Sequence, residues 1–175
     1  MKWTSDRRMG AVALGVFALD QASKLLVMRF LGPTDERVVI DGFFKFVHWG
    51  NTGAAWSLFH DRNELLAIVS ILALLGLFLW RRHFYLNLGL GQLALGLIMG
   101  GICGNLFDRL YNHQVIDFLR FYVYRRSGEQ VGFPAFNVAD SAICIGVGLL
   151  ILTSWQQESA ARSGKMERDE RKAEA

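Results

Sequence analysis

Two carboxylates, Asp117 and Asp140, stand in short phrases beside apolar runs: Val115-Ile116-Asp117-Phe118 and Phe136-Asn137-Val138-Ala139-Asp140. The second phrase opens an apolar segment long enough to cross a bilayer. A charged side chain at the centre of a spanning helix costs roughly 2.5–3.5 kcal/mol on insertion scales, so aspartates at a membrane boundary need a task. Two carboxylates that share one proton can activate water as a base and protonate a leaving amine as an acid, which is the chemistry of amide hydrolysis without a covalent intermediate. Such a pair titrates as a unit, because close like charges in a poorly solvated site do not both ionise easily.

Other polar groups fall inside or at the ends of the apolar runs. Asn105 and Arg109 are four residues apart, on one face of a helix that ends Gly100-Gly101-Ile102-Cys103-Gly104-Asn105-Leu106-Phe107-Asp108-Arg109. The glycines permit close helix approach, and helix packing with a snorkelling arginine would explain the segment as well as a role in a site. Asp20 and Lys24 are also four apart. An intrahelical ion pair accounts for them, and positioning of a substrate headgroup or a loop is the functional alternative. A single histidine near Asp117, His113, falls short of a metal-ligand set and reads as a solvated loop residue. No metal or other cofactor is expected.

The elements that position these groups follow from hydropathy. With 52% hydrophobic residues in 175, the chain is too apolar for an ordinary soluble domain and long enough for one membrane domain, residues 1–155. Four stretches approach the roughly 20 apolar residues of a spanning helix: 9–31, 64–80, 88–107 and 138–155. The first exceeds a signal-peptide core and lacks an obvious small-residue cleavage site, so it reads as retained. Lys2, Arg7 and Arg8 before it, Arg81 and Arg82 in a short loop, and Arg162, Lys165, Arg168, Arg171 and Lys172 in the tail place both termini in the cytoplasm, although Arg109, Arg120, Arg125 and Arg126 on the opposite side blunt the asymmetry. These flanks account for the net charge of +3, with no basic groove for nucleic acid.

Residues 37–59 hold β-branched and aromatic side chains bounded by Asp41-Gly42 and Gly50-Asn51, which predicts a small hairpin or curved sheet on the outer surface. Phe118 to Tyr124 predicts a second extended element or an interfacial helix. Trp49, Trp56, Tyr122 and Tyr124 are candidate interfacial anchors, with substrate contact as the alternative. Cys103 and Cys144 read as small buried thiols. Residues 156–175 read as a solvated or frayed basic tail. The fold expected is an all-α integral membrane protein with four transmembrane helices and a small extracytoplasmic β element. Two other functions fit these features: an ion-coupled transporter relaying protons through Asp20, Lys24, Asp108 and Asp140, and a noncatalytic assembly factor that uses its glycine faces to hold partners.

In order along the chain, Asp20-x-x-x-Lys24, Asn51-Thr52-Gly53-Ala54-Ala55, the Gly-Asn-x-x-Asp-Arg phrase ending at Arg109, Val115-Ile116-Asp117-Phe118 and Phe136-Asn137-Val138-Ala139-Asp140 resemble the motifs of the lipoprotein signal peptidase family, signal peptidase II. The resemblance covers nearly the whole chain. It implies an intramembrane aspartyl peptidase with Asp117 and Asp140 as the dyad, and Asn51, Asn105, Arg109 and Asn137 lining or supporting the site. Gly53 and Ala139 fall within the matching phrases, and Asp20 and Lys24 match the first-helix motif. It further implies a periplasmic β-cradle after the first span, a bacterial inner-membrane location, and diacylglyceryl-prolipoproteins as substrates amid membrane lipids. Inhibition by globomycin or myxovirescin is implied as well, and a monomer is expected. Trp56 departs from the usual phenylalanine, and His113 stands where a glycine is common.

Overall fold

Backbone N–H and C=O groups in a bilayer must be satisfied within the segment, so the apolar runs fold as helices. The computed structural model describes residues 2–53, 62–86 and 89–173, except for the side chains of 2–5, 84–86, 160, 161 and 163–173. Helix α1 runs Lys2–Phe30, α2 Asn63–Trp80, α3 Leu90–Tyr111 and α4 Val138–Ala173. Four helical stretches are long and apolar enough to cross a membrane: Asp6–Phe30, Asn63–His83, in which a 3-10 helix from Arg81 continues α2, Leu90–Tyr111 and Val138–Ser159. α1 stops just before Gly32-Pro33, where the proline ring disfavours helix in the preceding residue and supplies no N–H. The basic segment after Trp155 continues α4 as helix to Ala173 and does not fray, which extends the element well past the expected span. Trp56 and Ala54-Ala55 lie outside the described residues.

α3 is the central helix, packed along its length against α1 and α4 and more lightly against α2. Its glycines make this possible. A Cβ on Gly100 would lie 2.5 Å from the carbonyl oxygen of Ala13 on α1, and one on Gly101 would lie 2.5 Å from that of Ala139 on α4. Small residues at such crossings let the backbones approach, and in lipid dispersion contacts take over the role that hydrophobic burial plays in water.

Between the helices the chain builds one antiparallel sheet in the order β1 (Glu36–Ile40), β2 (Phe44–Asn51), β3 (Val115–Tyr124) and β4 (Gln130–Gly132). The β1–β2 turn uses Gly42 at φ 70, a left-handed conformation that glycine adopts freely. The extended element expected from Phe118 begins earlier, at Val115, so Asp117 lies inside a strand. Lys45 of β2 ties the sheet together: its ammonium bonds Glu36 of β1 and Gln130 of β4 and sits 4.9 Å from the ring centre of Tyr122 of β3. Tyr122 is thus buried, with its hydroxyl on Asp41, and does not serve as an interfacial anchor. Tyr124 is exposed, and Trp49 is half-buried beneath the Arg120 guanidinium.

Gly100→Ala is expected to push α1 away from α3 and destabilise the protein by about 1–3 kcal/mol. Gly148→Ala, where an added Cβ meets nothing within 4 Å, is expected to hold or raise Tm. Thermal unfolding in detergent compares the two.

Candidate active site

Asp117 and Asp140 reach one another through the backbone. The carbonyl of Phe136 accepts hydrogen bonds from the N–H groups of Phe118 (3.0 Å) and Leu119 (2.9 Å), which seats the start of α4 beside β3. Asn137 then caps α4: its Oδ1 accepts from Asp140 N–H at 2.9 Å, and Asp140 Oδ2 accepts from Asn137 N–H at 3.2 Å. This reciprocal pair is a capping box, and it holds the Asp140 carboxylate in the first turn of a helix, where the dipole favours negative charge. The remaining amide group of Asn137 donates to Asp117 Oδ1 at 2.9 Å. One fully buried asparagine therefore touches both aspartates.

β2 supplies the other side. Trp49 pairs with Asp117 and Asn51 with Val115, so Asn51 and Asp117 are diagonal neighbours on one face. A register shift between Phe46 and Trp49 sets this alignment. Asn51 Nδ2 donates to Asp117 Oδ2 at 2.9 Å, while its Oδ1 accepts from Gly53 N–H at 2.9 Å. From α3, Asn105 Nδ2 donates to Asp140 Oδ1 at 2.7 Å.

Arg109 sits one turn beyond Asn105 and is buried. It donates to the Gly53 carbonyl at 2.8 Å and to Asn63 Oδ1 at 3.2 Å, and Asn63 returns a bond to the Arg109 carbonyl at 2.9 Å. The helix end, the root of the loop after β2 and the start of α2 are thereby joined at one guanidinium. A cavity of about 550 Å³ opens on this arrangement, lined by Asn51, Gly53, Asn105, Arg109, Asp117 and Asp140, with Trp49, Phe133 and Phe136 toward the sheet and Ile143 and Cys144 toward the helices. Cys144 is exposed, not buried as expected, because it lies on the open face of α4 one turn below Asp140.

Asp20, Lys24 and Ala139 lie behind this wall. Lys24 pairs with Asp20 as its spacing suggests, at 2.8 Å, and also with Asp108 of α3 at 2.7 Å. All three side chains are 1% exposed or less, so the triad is sealed from the cavity. Asp20 Oδ1 accepts from Ala139 N–H at 2.9 Å, and Asp108 Oδ2 from Ile116 N–H at 3.3 Å. Each partner of Lys24 thus grips the residue preceding a candidate aspartate.

Burial raises the Asp117 pKa to about 7, with the facing Asp140 adding to the effect and the Asn51 and Asn137 amides and Lys24 opposing it. At neutral pH such a carboxyl exchanges its proton readily, as general acid or base catalysis requires. Two carboxylates with amide donors at the wall of a cavity are suited to polarising a carbonyl and activating water.

Residues 12–156 match the family described as Signal peptidase (SPase) II. The chain belongs to the signal peptidase II family. Its relatives include proteins named lipoprotein signal peptidase from Geobacter sulfurreducens (40% identical, covering 87% of this chain and 94% of the relative) and Syntrophotalea carbinolica (37%, covering 89% and 96%). Another from Anoxybacillus flavithermus is 31% identical, covering 90% and 91%. Two solved bacterial membrane enzymes share the fold at 29% identity, one with a TM-score of 0.73 covering 86% of this chain and 88% of its own, the other with 0.65 covering 82% and 89%.

Against this signal peptidase II framework, reading the sequence under-weighted three residues. Asp108 had a part only in the transporter alternative, although its place three residues after Asn105 put it on the same helix flank. The Asn137-x-x-Asp140 spacing before an apolar run was itself a capping-box signature. Nothing local marked Asn63, whose partner lies on another helix. His113 is exposed and adopts φ 57, a left-handed conformation that glycine would adopt more freely.

Because the folded protein holds a proton on Asp117 up to about pH 7, whereas an unfolded aspartate releases it near about pH 4, stability should fall as pH rises across that window and level off above it. Asp117→Asn is expected to flatten Tm over the same window, as read by intrinsic tryptophan fluorescence in detergent.

Proposed function

We propose that this protein is an aspartic endopeptidase of the bacterial inner membrane that removes signal peptides from diacylglyceryl-modified prolipoproteins, cutting on the N-terminal side of the lipidated cysteine. The observation that carries this reading is the buried Asn137, which holds Asp117 by its amide and Asp140 by a capping box at the wall of one cavity. Membership of the signal peptidase II family supports the substrate class.

In the reaction, one carboxylate of the pair takes a proton from water as the water oxygen attacks the scissile carbonyl. The protonated partner hydrogen-bonds the carbonyl oxygen and gives up its proton to it, forming a gem-diol. Collapse of the gem-diol returns a hydroxyl proton to one carboxylate, while the nitrogen takes a proton from the other and leaves as the new amino terminus. The site regains one shared proton. Asn51, Asn105 and Asn137 keep the carboxylates aimed, and Arg109 with Gly53 fixes the wall against which the substrate lies. Ala139 anchors the first turn of α4 through its bond to Asp20.

Residues 1–155 act as one domain with both termini cytoplasmic, the basic tail 156–175 at the inner surface, and the sheet and cavity toward the periplasm. The distribution of lysine and arginine in the short loops and termini supports this orientation. Acyl chains of the substrate stay among membrane lipids while its signal helix enters the cavity, so binding remote from the scissile bond contributes to positioning it. The protein works as a monomer without a cofactor, and globomycin or myxovirescin is expected to block the site.

Purified protein is expected to cleave a lipidated prolipoprotein and leave its unlipidated counterpart intact. Asp117→Asn and Asp140→Asn should each lower kcat/KM by about 10²–10⁴-fold with membrane insertion unchanged. Normal cleavage by either variant would overturn the dyad, and equal cleavage of the two substrates would overturn the lipid requirement.

A further inference from the structure

We propose that Lys24 is a positioning residue for the reaction, acting through Asn105: its ammonium turns the Asn105 amide so that the NH₂ group, and not the carbonyl, faces Asp140. This rests on Asp117 and Asp140 being the catalytic pair.

An asparagine side chain is nearly symmetric in shape, so its neighbours decide which end faces a carboxylate. For Asn51 and Asn137 the decision comes from the main chain. The N–H groups of Gly53 and Asp140 can only donate, so each must meet an oxygen, and the NH₂ is left for Asp117. Among the described residues, Asn105 has no such main-chain partner for its oxygen. Its Oδ1 faces Lys24 Nζ at 3.0 Å and Asn137 Nδ2 at 3.2 Å.

The two contacts differ in weight. Asn137 has two amide hydrogens for three acceptors, Asp117 Oδ1 at 2.9 Å, Asn105 Oδ1 at 3.2 Å and the Ile116 carbonyl at 3.4 Å, and the nearest is the carboxylate. Lys24 has three hydrogens for three acceptors: Asp108 at 2.7 Å, Asp20 at 2.8 Å and Asn105 at 3.0 Å. An ammonium has no acceptor to offer, so while it stays charged only oxygen can face it. The flanking carboxylates keep it charged in a place where a lone lysine would be costly to bury.

If the ammonium is removed, the Asn105 amide is free to turn. The turned amide sets its oxygen against an Asp140 oxygen, an arrangement tolerated only when a proton lies between them. Among the described residues, the charged groups that face the aspartate pair are Lys24 and Asp20 from α1 and Arg109 from α3, with Asp108 of α3 behind Lys24. Of these, Lys24 alone bonds an amide that bonds an aspartate.

The test is the pH profile of kcat/KM for a lipidated prolipoprotein, measured on full-length protein in detergent with Tm recorded in parallel. Lys24→Met is expected to raise the acidic midpoint by about one pH unit, the scale of one hydrogen bond to a charged group. Asn105→Ala should shift it by a similar amount, and the double variant no further than Asn105→Ala alone. An unmoved midpoint in Lys24→Met, or shifts that add in the double variant, would overturn the proposal. If Lys24→Met does not insert, Lys24→Leu takes its place in the same comparison: a midpoint raised alone and no further in the double variant with Asn105→Ala supports the proposal, and an unmoved midpoint or additive shifts overturn it. Full activity in Asp117→Asn would instead overturn the underlying peptidase reading.

Discussion

The site depends on one buried ammonium placed between two carboxylates. Lys24 binds Asp20 on its own helix and Asp108 on α3, and each of those carboxylates accepts a main-chain N–H from the segment that presents a candidate catalytic aspartate. α1, α3, β3 and α4 thus meet at a point sealed from the cavity. Removing one partner of a buried ion pair typically costs about 3–5 kcal/mol, because the other charge is left uncompensated. Here the loss of Asp20 would also release Ala139, and the loss of Asp108 would release Ile116, the residues before Asp140 and Asp117. Gly104 makes room for the arrangement, since a Cβ there would lie 2.5 Å from Asp20 Oδ2.

On the cavity side the balance is different. Asp117 and Asp140 are desolvated and face one another, and amide donors from Asn51, Asn105 and Asn137 meet them. At Asp117, burial and repulsion from Asp140 favour the protonated form, whereas the Asn51 and Asn137 amides favour the ionised one. Burial and repulsion outweigh the amides and leave Asp117 at about 7, where a proton is available and can also be withdrawn. Neutral donors suit this purpose. A cation bonded directly to either aspartate would hold it ionised, and the site's cations are instead kept one step back, Lys24 behind Asn105 and Arg109 on Gly53 and Asn63.

Much of this was legible in the sequence because it is local or periodic. The apolar runs fixed the helices, since in lipid no other open segment satisfies its backbone. Asp41-Gly42 marked the hairpin turn, Asp20 and Lys24 revealed their pairing by helical spacing, and the ordered motifs pointed to the family. The misreadings share a cause. Tyr122 and Cys144 were assigned from residue type, whereas their exposure depends on which neighbour covers them.

The sequence by itself determined which residues bear charge, which stretches are apolar enough to cross a membrane, and that Asn137 and Asp140 cap a helix together, all consequences of spacings of a few residues. Tertiary structure alone decided that Asp117 meets Asp140. Their meeting requires the Phe136 carbonyl to dock on β3 and the β2–β3 register to shift between Phe46 and Trp49. Side chains alternate along a strand, so a slip of one residue would turn Asp117 to the opposite face of the sheet. The pairing of Lys24 with Asp108 is of the same kind, because it depends on the crossing of α1 and α3, which Gly100 and Gly104 permit and no run of neighbouring residues encodes.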